Sequence, residues 1–422
     1  MTVRCDLLVR GASELVTMRA AAGSGRPDDL GVAAAGALAA WDGRIVWVGA
    51  EADIARDLDV PADAVEIDAE GACVLPGFVD SHTHAVFAGE RAGEYGRRLA
   101  GASYLEIQAA GGGIMSTVRA TRAASEDELA ALTRRRLDSF LRHGTTTLEI
   151  KSGYGLTLAD ERKMLAAAKV PHAVNRAYTL LAAHSTPEEY AGRDDEYIEL
   201  ICGEILPALA GEAEFVDVFC DEGAFTVEQS RRVLEAGRAL GFRLKIHAEE
   251  LAHTGGTAMA AGLGAVSADH LMHITGEDIA ALRAAGTVAT LLPGTSYTLH
   301  AATYAPARDL LDAGVTVALA SDFNPGSCYC ENLQMMISFA CQELRMTPAE
   351  ALRAATTGGA AALGLQAEVG SLEVGKRCDL LVLDAASHEE LPYHFGVNLV
   401  NGVVAGGRVV SATAPNLSGG PA

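Results

Sequence analysis

The sequence predicts an α/β protein with a (β/α)₈ barrel and a small β-sandwich-like domain assembled from both ends of the chain. Residues 73–362 alternate apolar strand runs with amphipathic helices, a pattern typical of a parallel barrel. The two ends contain short β-rich runs separated by glycine turns. The 422 residues suffice for one large barrel and one smaller domain. A doubly wound open sheet is the alternative that the same alternation allows.

The small domain is predicted to consist of residues 1–72 and 363–413. Its N-terminal part contains the β-rich runs CDLLVR, GRIVWVG and AVEIDAEG, and its C-terminal part contains CDLLVLDA and NLVNGVVAGGRVV. Because the β-rich runs lie on both sides of the barrel segment, we expect the two ends to pair in space. The last residues, 414–422, are rich in Gly and Pro and are predicted to form a flexible tail.

Eight apolar runs are predicted as the barrel strands. They are residues 74–82, 145–151, 177–183, 215–220, 243–247, 265–270, 287–292 and 315–321. Amphipathic segments between them, such as 125–144, 226–241 and 275–286, open with Ser or Thr followed by acidic residues and close near Gly. Those are the residue types that cap helices, so helices are predicted there.

The composition argues against some classes of binding partner and indicates a cellular compartment. The formal net charge of −22 argues against binding to nucleic acid or to an anionic membrane. Eight scattered cysteines are interpreted as reduced thiols, and no apolar run reaches the roughly 20 residues of a membrane span. The N-terminus shows no apolar signal segment, so a cytoplasmic protein is predicted. Cys328 and Cys330 form a lone CxC pair, a weak signal for metal binding.

Polar side chains follow the predicted strands at their carboxyl ends, where a (β/α)₈ barrel forms its active site. Among the twelve histidines, those at these ends are His82, His84, His184, His247 and His270. His82 and His84 stand two residues apart on one strand, so both side chains point to the same side and can bind one metal ion. For this motif alone, an exposed HxH pair is an equal alternative.

The stretch PGFVDSHTH resembles the metal-binding motif on the first strand of the amidohydrolase superfamily. This resemblance implies a barrel of that superfamily and two further ligands, a histidine after strand 5 and an aspartate after strand 8. His247 in KIHAEE and Asp322 in ASDFNPG occupy those places. Three imidazoles and one carboxylate suit a single Zn²⁺, and iron as Fe²⁺ or Fe³⁺ is also accommodated.

Lys151 bears on the number of metal ions. Members of this superfamily with two metals carry a carboxylated lysine on strand 4, whereas the only strand-end lysine here follows strand 2. A single metal is therefore predicted. For Lys151 itself, a capping role, a contact with substrate and simple exposure to solvent stay open.

Two residues are candidate proton carriers. Glu250 lies three residues beyond His247, and His270 ends the neighbouring strand. Together they can deprotonate water, polarise a carbonyl and protonate a departing nitrogen. The division of acid and base roles between them stays open, and Asp322 is a third catalytic candidate.

Longer stretches resemble the imidazolonepropionases, among them HAVFAGERAGEY, LEIKSGYGL, LLPGTSY and SDFNPGSC. Enzymes of that family hydrolyse the ring C–N bond of 4-imidazolone-5-propanoate to N-formimidoyl-L-glutamate in histidine degradation. The resemblance implies the same activity here, a homodimer, and a set of substrate contacts with Arg91 gripping the propionate. The implied contacts are Arg91, Tyr104, Tyr154, His184, Glu250, Asn324, Gly326 and Ser327. For the last three, an Asx-type turn is the alternative explanation.

Two other functions are weighed against this one. A different cyclic amidohydrolase or a deaminase would use the same metal chemistry without needing Arg91. A non-catalytic relative would lack the ligands, yet His82, His84, His247 and Asp322 are all present.

Overall fold

The computed structural model describes residues 2–19, 29–101 and 111–412. Its centre is a sheet of eight strands, each hydrogen-bonded in parallel to the next along the chain. The strands are Phe78–Asp80, Thr145–Lys151, Asn175–Ala183, Phe215–Cys220, Arg243–Ala248, Ser267–His270, Val288–Leu291 and Val317–Leu319. A parallel bridge between Thr83 and Phe323 joins the segments after strands 1 and 8 and nearly closes the barrel. The predicted (β/α)₈ class is therefore confirmed, and the open-sheet alternative is wrong.

Helices follow the strands and cover the outside of the barrel. Helical segments within and around the barrel are Ala92–Leu99, Ile114–Ala123, Glu126–Arg142, Leu158–Ala168, Glu188–Tyr190, Asp194–Leu200, Ile201–Ile205, Leu206–Leu209, Val227–Ala239, Gly256–Gly262, Gly276–Ala285, Pro293–Thr298, Ala307–Asp312, Leu333–Gln342, Pro348–Arg353, Ala354–Gly358 and Gly359–Ala362. Ser125, Thr226 and Thr275 cap their helices as predicted, and each forms a capping box with the residue three positions on. Their apolar faces pack on strands that are buried on both sides.

Both ends of the chain form a β-sandwich beside the barrel. One sheet has the order Arg408–Ala412, Val400–Ala405, Leu380–Leu383, Val74–Pro76, Glu14–Val16 and Val32–Ala34. The other has the order Arg44–Ala50, Gly36–Trp41, Leu7–Arg10 and Val65–Asp68. Leu7 and Leu38 from the second sheet share a buried core with Leu380 and Val404 from the first. The predicted small domain built from both termini is therefore confirmed.

Short elements complete the small domain. Val3–Arg4 pairs with Leu58–Asp59 in parallel, and the short helices are Glu51–Asp53, Ile54–Asp57 and Glu390–Tyr393. Among the described ranges, no helix has both the length and the apolar character needed to cross a bilayer. The domain boundaries drawn from the sequence stay predictions, and the predicted tail at 414–422 lies outside the described residues.

One predicted strand divides into two. Residues 74–82 were expected to form the first barrel strand, but Val74–Pro76 belongs to the six-stranded sheet and only Phe78–Asp80 to the barrel. Gly77 stands at the crossing, where a Cβ atom would overlap the Thr146 side chain. The run is continuously apolar because both of its parts are buried, and this concealed the change of sheet.

Candidate metal centre and active site

Four side chains predicted as metal ligands converge at the carboxyl ends of the barrel strands. His84 Nε2 lies 3.5 Å from His247 Nε2 and 3.5 Å from Asp322 Oδ1. His82 Nε2 lies 3.4 Å from the same Asp322 oxygen. The three histidines form a group able to hold a metal ion, with one ligand atom from each within 4.8 Å of the others.

The arrangement fits a tetrahedral divalent ion. Zn–N bonds of about 2.0–2.1 Å place neighbouring ligand atoms roughly 3.4 Å apart, which matches the 3.4 and 3.5 Å separations between these atoms. His82 Nε2 is fully buried and has no hydrogen-bond partner among the described residues. A buried nitrogen of this kind is unfavourable unless something binds it. The donor set therefore suits a metal that takes nitrogen and oxygen ligands.

Carboxylates behind the histidine rings set their orientation. His82 Nδ1 lies 2.7 Å from Asp269 Oδ2, and His247 Nδ1 lies 3.0 Å from Asp217 Oδ2. A proton on each Nδ1 suits the carboxylate that faces it and leaves the Nε2 lone pair free for a metal. His82 Nδ1 is hydrogen-bonded to Asp269, whereas His247 Nδ1 is in contact with Asp217 without an aligned hydrogen bond. On the opposite side, Thr295 Oγ1 donates a 2.6 Å hydrogen bond to Asp322 Oδ2.

Burial and charge favour ligand-competent protonation states for His84, His247 and Asp322. For His82, the carboxylates of Asp269 and Asp322 outweigh burial and raise the pKa to about 9, so a metal ion would displace a proton there. Burial lowers the pKa of His84 and holds that of His247 well below its ordinary value. Burial alone would raise the pKa of Asp322, but the imidazoles of His82 and His84 beside it hold that pKa well below the usual range. Two neutral imidazoles thus face an ionised carboxylate, as metal binding requires.

Several backbone positions around the centre are strained. Asp322 has φ 50°, His270 has φ 79° and Glu249 has φ 52°, all in the left-handed region that side chains rarely adopt. Such conformations persist where the surrounding structure enforces them, and they are concentrated at functional sites. Here they turn the chain sharply as strands 5, 6 and 8 end.

Glu250 and His270, the predicted proton carriers, lie side by side. Glu250 Oε2 is 3.6 Å from His270 Nε2. Burial raises the pKa of Glu250 above that of an ordinary glutamate. Asp221 fixes the loop that carries Glu250, because its carboxylate accepts the backbone N–H groups of Glu250 at 2.6 Å and of Leu251 at 3.0 Å.

A cavity of about 630 Å³ opens above the four predicted ligands. The predicted residues that line it are His84, Arg91, Tyr154, His184, His247, Glu250, His270, Asp322, Asn324, Gly326 and Ser327. His82 lies beneath the cavity, and Tyr104 falls outside the described residues. Further lining residues that the sequence did not single out include Tyr95, Arg98, Phe219 and Glu222.

Tyr154 and His184 form an aromatic wall beside the ligands. The His184 ring stacks on that of His84 at 5.1 Å, and the Tyr154 ring centre lies 5.2 Å from that of His184. Burial and the neighbouring His84 lower the pKa of His184 to about 3. Glu161 anchors the loop around Tyr154 by accepting backbone N–H groups, including that of Gly155 at 2.8 Å.

The opposite wall contains Arg91 and the loop after strand 8. Arg91 Nε donates to Glu94 at 2.8 Å, and a Cβ atom on Gly326 would overlap the Arg91 guanidinium. Asn324 Oδ1 accepts the backbone N–H groups of Gly326 at 2.7 Å and Ser327 at 2.8 Å. This is the Asx-type turn that the sequence left open as an alternative for this loop.

The structure argues against two of the three roles that the sequence left open for Lys151. Its side chain is fully buried inside the barrel, so simple exposure to solvent is wrong. It does not line the cavity, which also argues against contact with substrate. Its Nζ instead lies 2.7 Å from Asp217 and 2.9 Å from Glu149. The predicted end of strand 2 at Lys151 is confirmed, but the sequence did not show that this side chain points into the barrel.

Asp217, Glu149 and Lys245 were missed as residues that support the site. All three are fully buried on barrel strands. A signal was available, since charged residues inside the apolar runs TTTLEIK, FVDVFC and RLKIH stand at positions that share one face of a strand. Cys328 and Cys330 do not belong to a group that could hold a metal ion, since the group found among the described residues consists of the three histidines. The eight cysteines are free thiols, as expected.

Comparison with known proteins agrees with this geometry. A model of the amidohydrolase family matches residues 73–410. An imidazolonepropionase of Symbiobacterium thermophilum is 52% identical over 412 residues, covering 96% of this chain and 97% of the relative. An imidazolonepropionase of Parabacteroides distasonis is 46% identical over 410 residues, covering 96% of this chain and 98% of the relative.

Solved structures show the same fold. An adenosine deaminase from Xanthomonas campestris with bound zinc superposes with a TM-score of 0.74 at 22% identity, over 99% of this chain and 95% of that one. A 5-methylcytosine deaminase from Klebsiella pneumoniae superposes with a TM-score of 0.73 at 17% identity, over 96% of this chain and 98% of that one. At this identity the likeness concerns the fold alone. The family match and the near-full-length relatives show that the chain belongs to the imidazolonepropionases of the amidohydrolase family.

Proposed function

We propose that this protein hydrolyses the ring C–N bond of 4-imidazolone-5-propanoate to give N-formimidoyl-L-glutamate in histidine degradation. The observation that supports this most is the meeting of His82, His84, His247 and Asp322 beneath a cavity that also contains Arg91. A metal centre suits attack on a cyclic amide carbonyl, and a guanidinium suits the substrate's propionate. The relatives that match nearly the whole chain bear the corresponding name.

The four ligands are proposed to hold one divalent ion, Zn²⁺ or iron. Such an ion supplies Lewis acidity and lowers the pKa of a water molecule from 15.7 toward about 7. The protein's part is to present His82, His84 and His247 as neutral nitrogen donors and Asp322 as the single carboxylate. The strand-end lysine, Lys151, pairs with Glu149 and Asp217 and does not line the cavity, which favours one ion over two.

Glu250 and His270 are proposed to move protons at the reacting atoms. Glu250 Oε2 and His270 Nε2 both face the cavity and lie 3.6 Å apart. A carboxyl group with a raised pKa accepts and returns protons more readily near neutral pH than an ordinary glutamate does. Asp322, beside them, is a further proton acceptor. The ring nitrogen that leaves needs a proton, and these groups are placed to give it.

The remaining cavity residues are proposed to hold the substrate. Arg91 binds the propionate, with Ser327 beside it, while Tyr154 and His184 contact the ring. His184 does this as a neutral imidazole because its pKa is lowered to about 3. Asn324 shapes its loop and, with Gly326, contacts the product. Tyr104 is proposed as a further contact on the resemblance alone.

Assembly and compartment are also proposals. The resemblance implies a homodimer, and the composition implies a cytoplasmic location. The net charge of −22 supports the absence of nucleic-acid and anionic-membrane partners. Light scattering of the purified protein tests the dimer.

The decisive experiment combines metal analysis with the loss of 4-imidazolone-5-propanoate absorbance. We expect about one metal per chain in the native protein and near-complete loss of metal and turnover in His247→Ala. The exposed His394 provides a matched control, since His394→Ala should leave both unchanged. Two tightly bound metals per chain would contradict the single-ion proposal. Turnover of aminopurines or other cyclic amides in place of 4-imidazolone-5-propanoate would favour the alternative activity.

A further inference from the structure

Beneath the metal ligands, the barrel interior contains five charged side chains that the proposed reaction does not use. They are Glu149 and Lys151 on strand 2, Asp217 on strand 4, Lys245 on strand 5 and Asp269 on strand 6, and each is fully buried. Burying ionised groups is costly, and apolar residues of similar size often stabilise a protein more. A set of this kind therefore calls for a role other than stability.

Lys151 connects the carboxylates that orient two different ligands. Its Nζ lies 2.7 Å from Asp217 Oδ2, and the same oxygen lies 3.0 Å from His247 Nδ1. The Nζ also lies 3.7 Å from Asp269 Oδ2, which is 2.7 Å from His82 Nδ1. One ammonium group thus contacts both carboxylates.

Glu149 and Lys245 complete the arrangement. Glu149 Oε2 lies 2.9 Å from Lys151 Nζ, and Glu149 Oε1 lies 3.2 Å from Lys245 Nζ. Lys245 also donates to the carbonyl of Ser81 at 2.8 Å, next to His82 in the chain. The two ammonium groups and three carboxylates therefore restrain one another, and they leave each aspartate only small freedom to move.

We propose that Lys151 is a positioning residue for the metal centre. It holds Asp217 and Asp269, and through them it keeps the His247 and His82 rings with their Nε2 atoms turned toward the other ligands. This inference rests on the proposed metal site and adds to it a residue outside the ligand set. It also explains why a lysine faces the barrel interior without reaching the cavity.

The direction in which metal affinity changes when Lys151 is removed distinguishes positioning from simple charge repulsion. A positive charge near a cation site weakens cation binding, so if Lys151 acted by its charge alone, its removal would tighten metal binding. If Lys151 positions the ligands, its removal leaves Asp217 and Asp269 without their shared partner, and metal binding weakens. The two views therefore predict opposite changes in affinity.

The test measures Co²⁺ binding to the metal-free full-length protein by competition with a chelator, and it records the visible absorption of the bound ion. We expect Lys151→Met to weaken Co²⁺ binding about 10–100-fold, as is typical when residues that support metal ligands are changed. We also expect altered Co²⁺ bands, because the ligand geometry changes. Affinity that is unchanged or tighter would overturn the proposal.

A matched control and two further variants keep the test decisive. Lys163 also pairs with an aspartate, at 2.9 Å from Asp160, but on an outer helix, so Lys163→Met should leave Co²⁺ affinity unchanged. A merely structural role would lower the melting temperature with and without metal by the same amount, whereas positioning reduces the rise that metal produces. If Lys151→Met does not fold, Asp217→Asn and Asp269→Asn replace it, and unchanged affinity in both would overturn the proposal.

Co²⁺ binding by the wild-type protein distinguishes a failure of this inference from a failure of the proposed function. If the wild type binds no Co²⁺, the metal-dependent function itself fails. If the wild type binds Co²⁺ and the variants bind it equally well, only the positioning role fails.

Discussion

Arg91 is the residue whose substitution tests substrate recognition most directly. Its guanidinium lies against Gly326 on the cavity wall, held by Glu94 at 2.8 Å. Removing a charge-assisted contact of about 1.5–3 kcal/mol should raise KM roughly 10–100-fold in Arg91→Ala and change kcat less. Steady-state kinetics on 4-imidazolone-5-propanoate measure this. Arg91→Lys should recover part of the loss, because it keeps the charge but not the planar fork.

Unchanged kinetics in Arg91→Ala would remove this residue from the binding site. Arg162 provides a matched control, since it pairs with Glu212 at 3.0 Å on the surface. Arg162→Ala should therefore leave KM as it is.

Glu250 should determine the acid side of the pH–rate profile. Only the ionised carboxylate accepts a proton, and burial raises its pKa above the ordinary value of 4.5. Activity should therefore fall as the pH falls, with a midpoint above 4.5 in a plot of kcat/KM against pH. A midpoint at or below that value would show that the buried carboxyl is not the titrating group.

Substitution of Glu250 provides the companion measurement. Glu250→Gln keeps the size of the side chain but cannot accept a proton, so kcat should fall about 10²–10⁴-fold. Metal content should stay at the wild-type level, because Glu250 is not one of the four proposed ligands. Loss of the metal in this variant would contradict the assigned role.

For individual residues, the sequence could single out four side chains that the structure brings together, but not the residues behind them. The spacing of His82 and His84, together with the resemblance of PGFVDSHTH to a superfamily motif, was enough to indicate His247 and Asp322. The burial of Lys151 could not be predicted, because its direction depends on which face of strand 2 turns inward. The left-handed φ of Asp322 likewise depends on contacts between distant segments.

Among the structural elements, the loop after strand 5 depends on Asp221. This carboxylate accepts the backbone N–H of Glu250 at 2.6 Å and that of Ala252 at 3.1 Å. Asp221→Ala should loosen the loop and lower kcat about 10-fold, since a small displacement of a catalytic group slows the reaction. Kinetics and metal analysis together test this, and full activity in the variant would show that the loop holds its shape without Asp221.

The crossing at Gly77 gives a prediction about stability. A Cβ atom there overlaps the Thr146 side chain, so Gly77→Ala should lower the free energy of unfolding by about 1–3 kcal/mol. Thermal or denaturant unfolding measures the change. Gly262→Ala is the control, because that helical glycine has open space around its Cβ position. Equal stability in the two variants would mean that the barrel accommodates the added methyl group.

Strands and helices were predicted well where a local pattern fixed them. The capped helix Glu126–Arg142 and the strand Thr145–Lys151 match their predicted spans closely, because caps and apolar runs are local signals. The run 74–82 was predicted wrongly as one strand. Its division depends on the partners of Val74–Pro76, which lie in distant parts of the sequence.

For the whole molecule, metal should stabilise the folded state. The proposed ligands lie on or just after strands 1, 5 and 8, so an ion bound there would join distant parts of the barrel. Free metal at 1,000 times its Kd would add about 4 kcal/mol to the free energy of unfolding. Calorimetry with and without a chelator should therefore show a lower melting temperature after metal removal, and equal temperatures would argue against a folded-state metal site.

The sequence was enough to predict the two parts of the overall architecture, the barrel and the small domain. Alternation of strands and helices indicated the barrel, and β-rich ends indicated a shared small domain. The order of strands within the sandwich was not predictable, since it arises from pairing between segments more than 300 residues apart, such as Val74–Pro76 with Leu380–Leu383.

That pairing has a consequence for biosynthesis. Val74–Pro76 lies between Glu14–Val16 and Leu380–Leu383, so the edge that pairs with Leu380–Leu383 stays unpaired during synthesis until those residues have been made. An exposed apolar edge strand invites wrong association between nascent chains. Premature termination before residue 380 should therefore yield polypeptides that aggregate, even though every barrel strand has already been made.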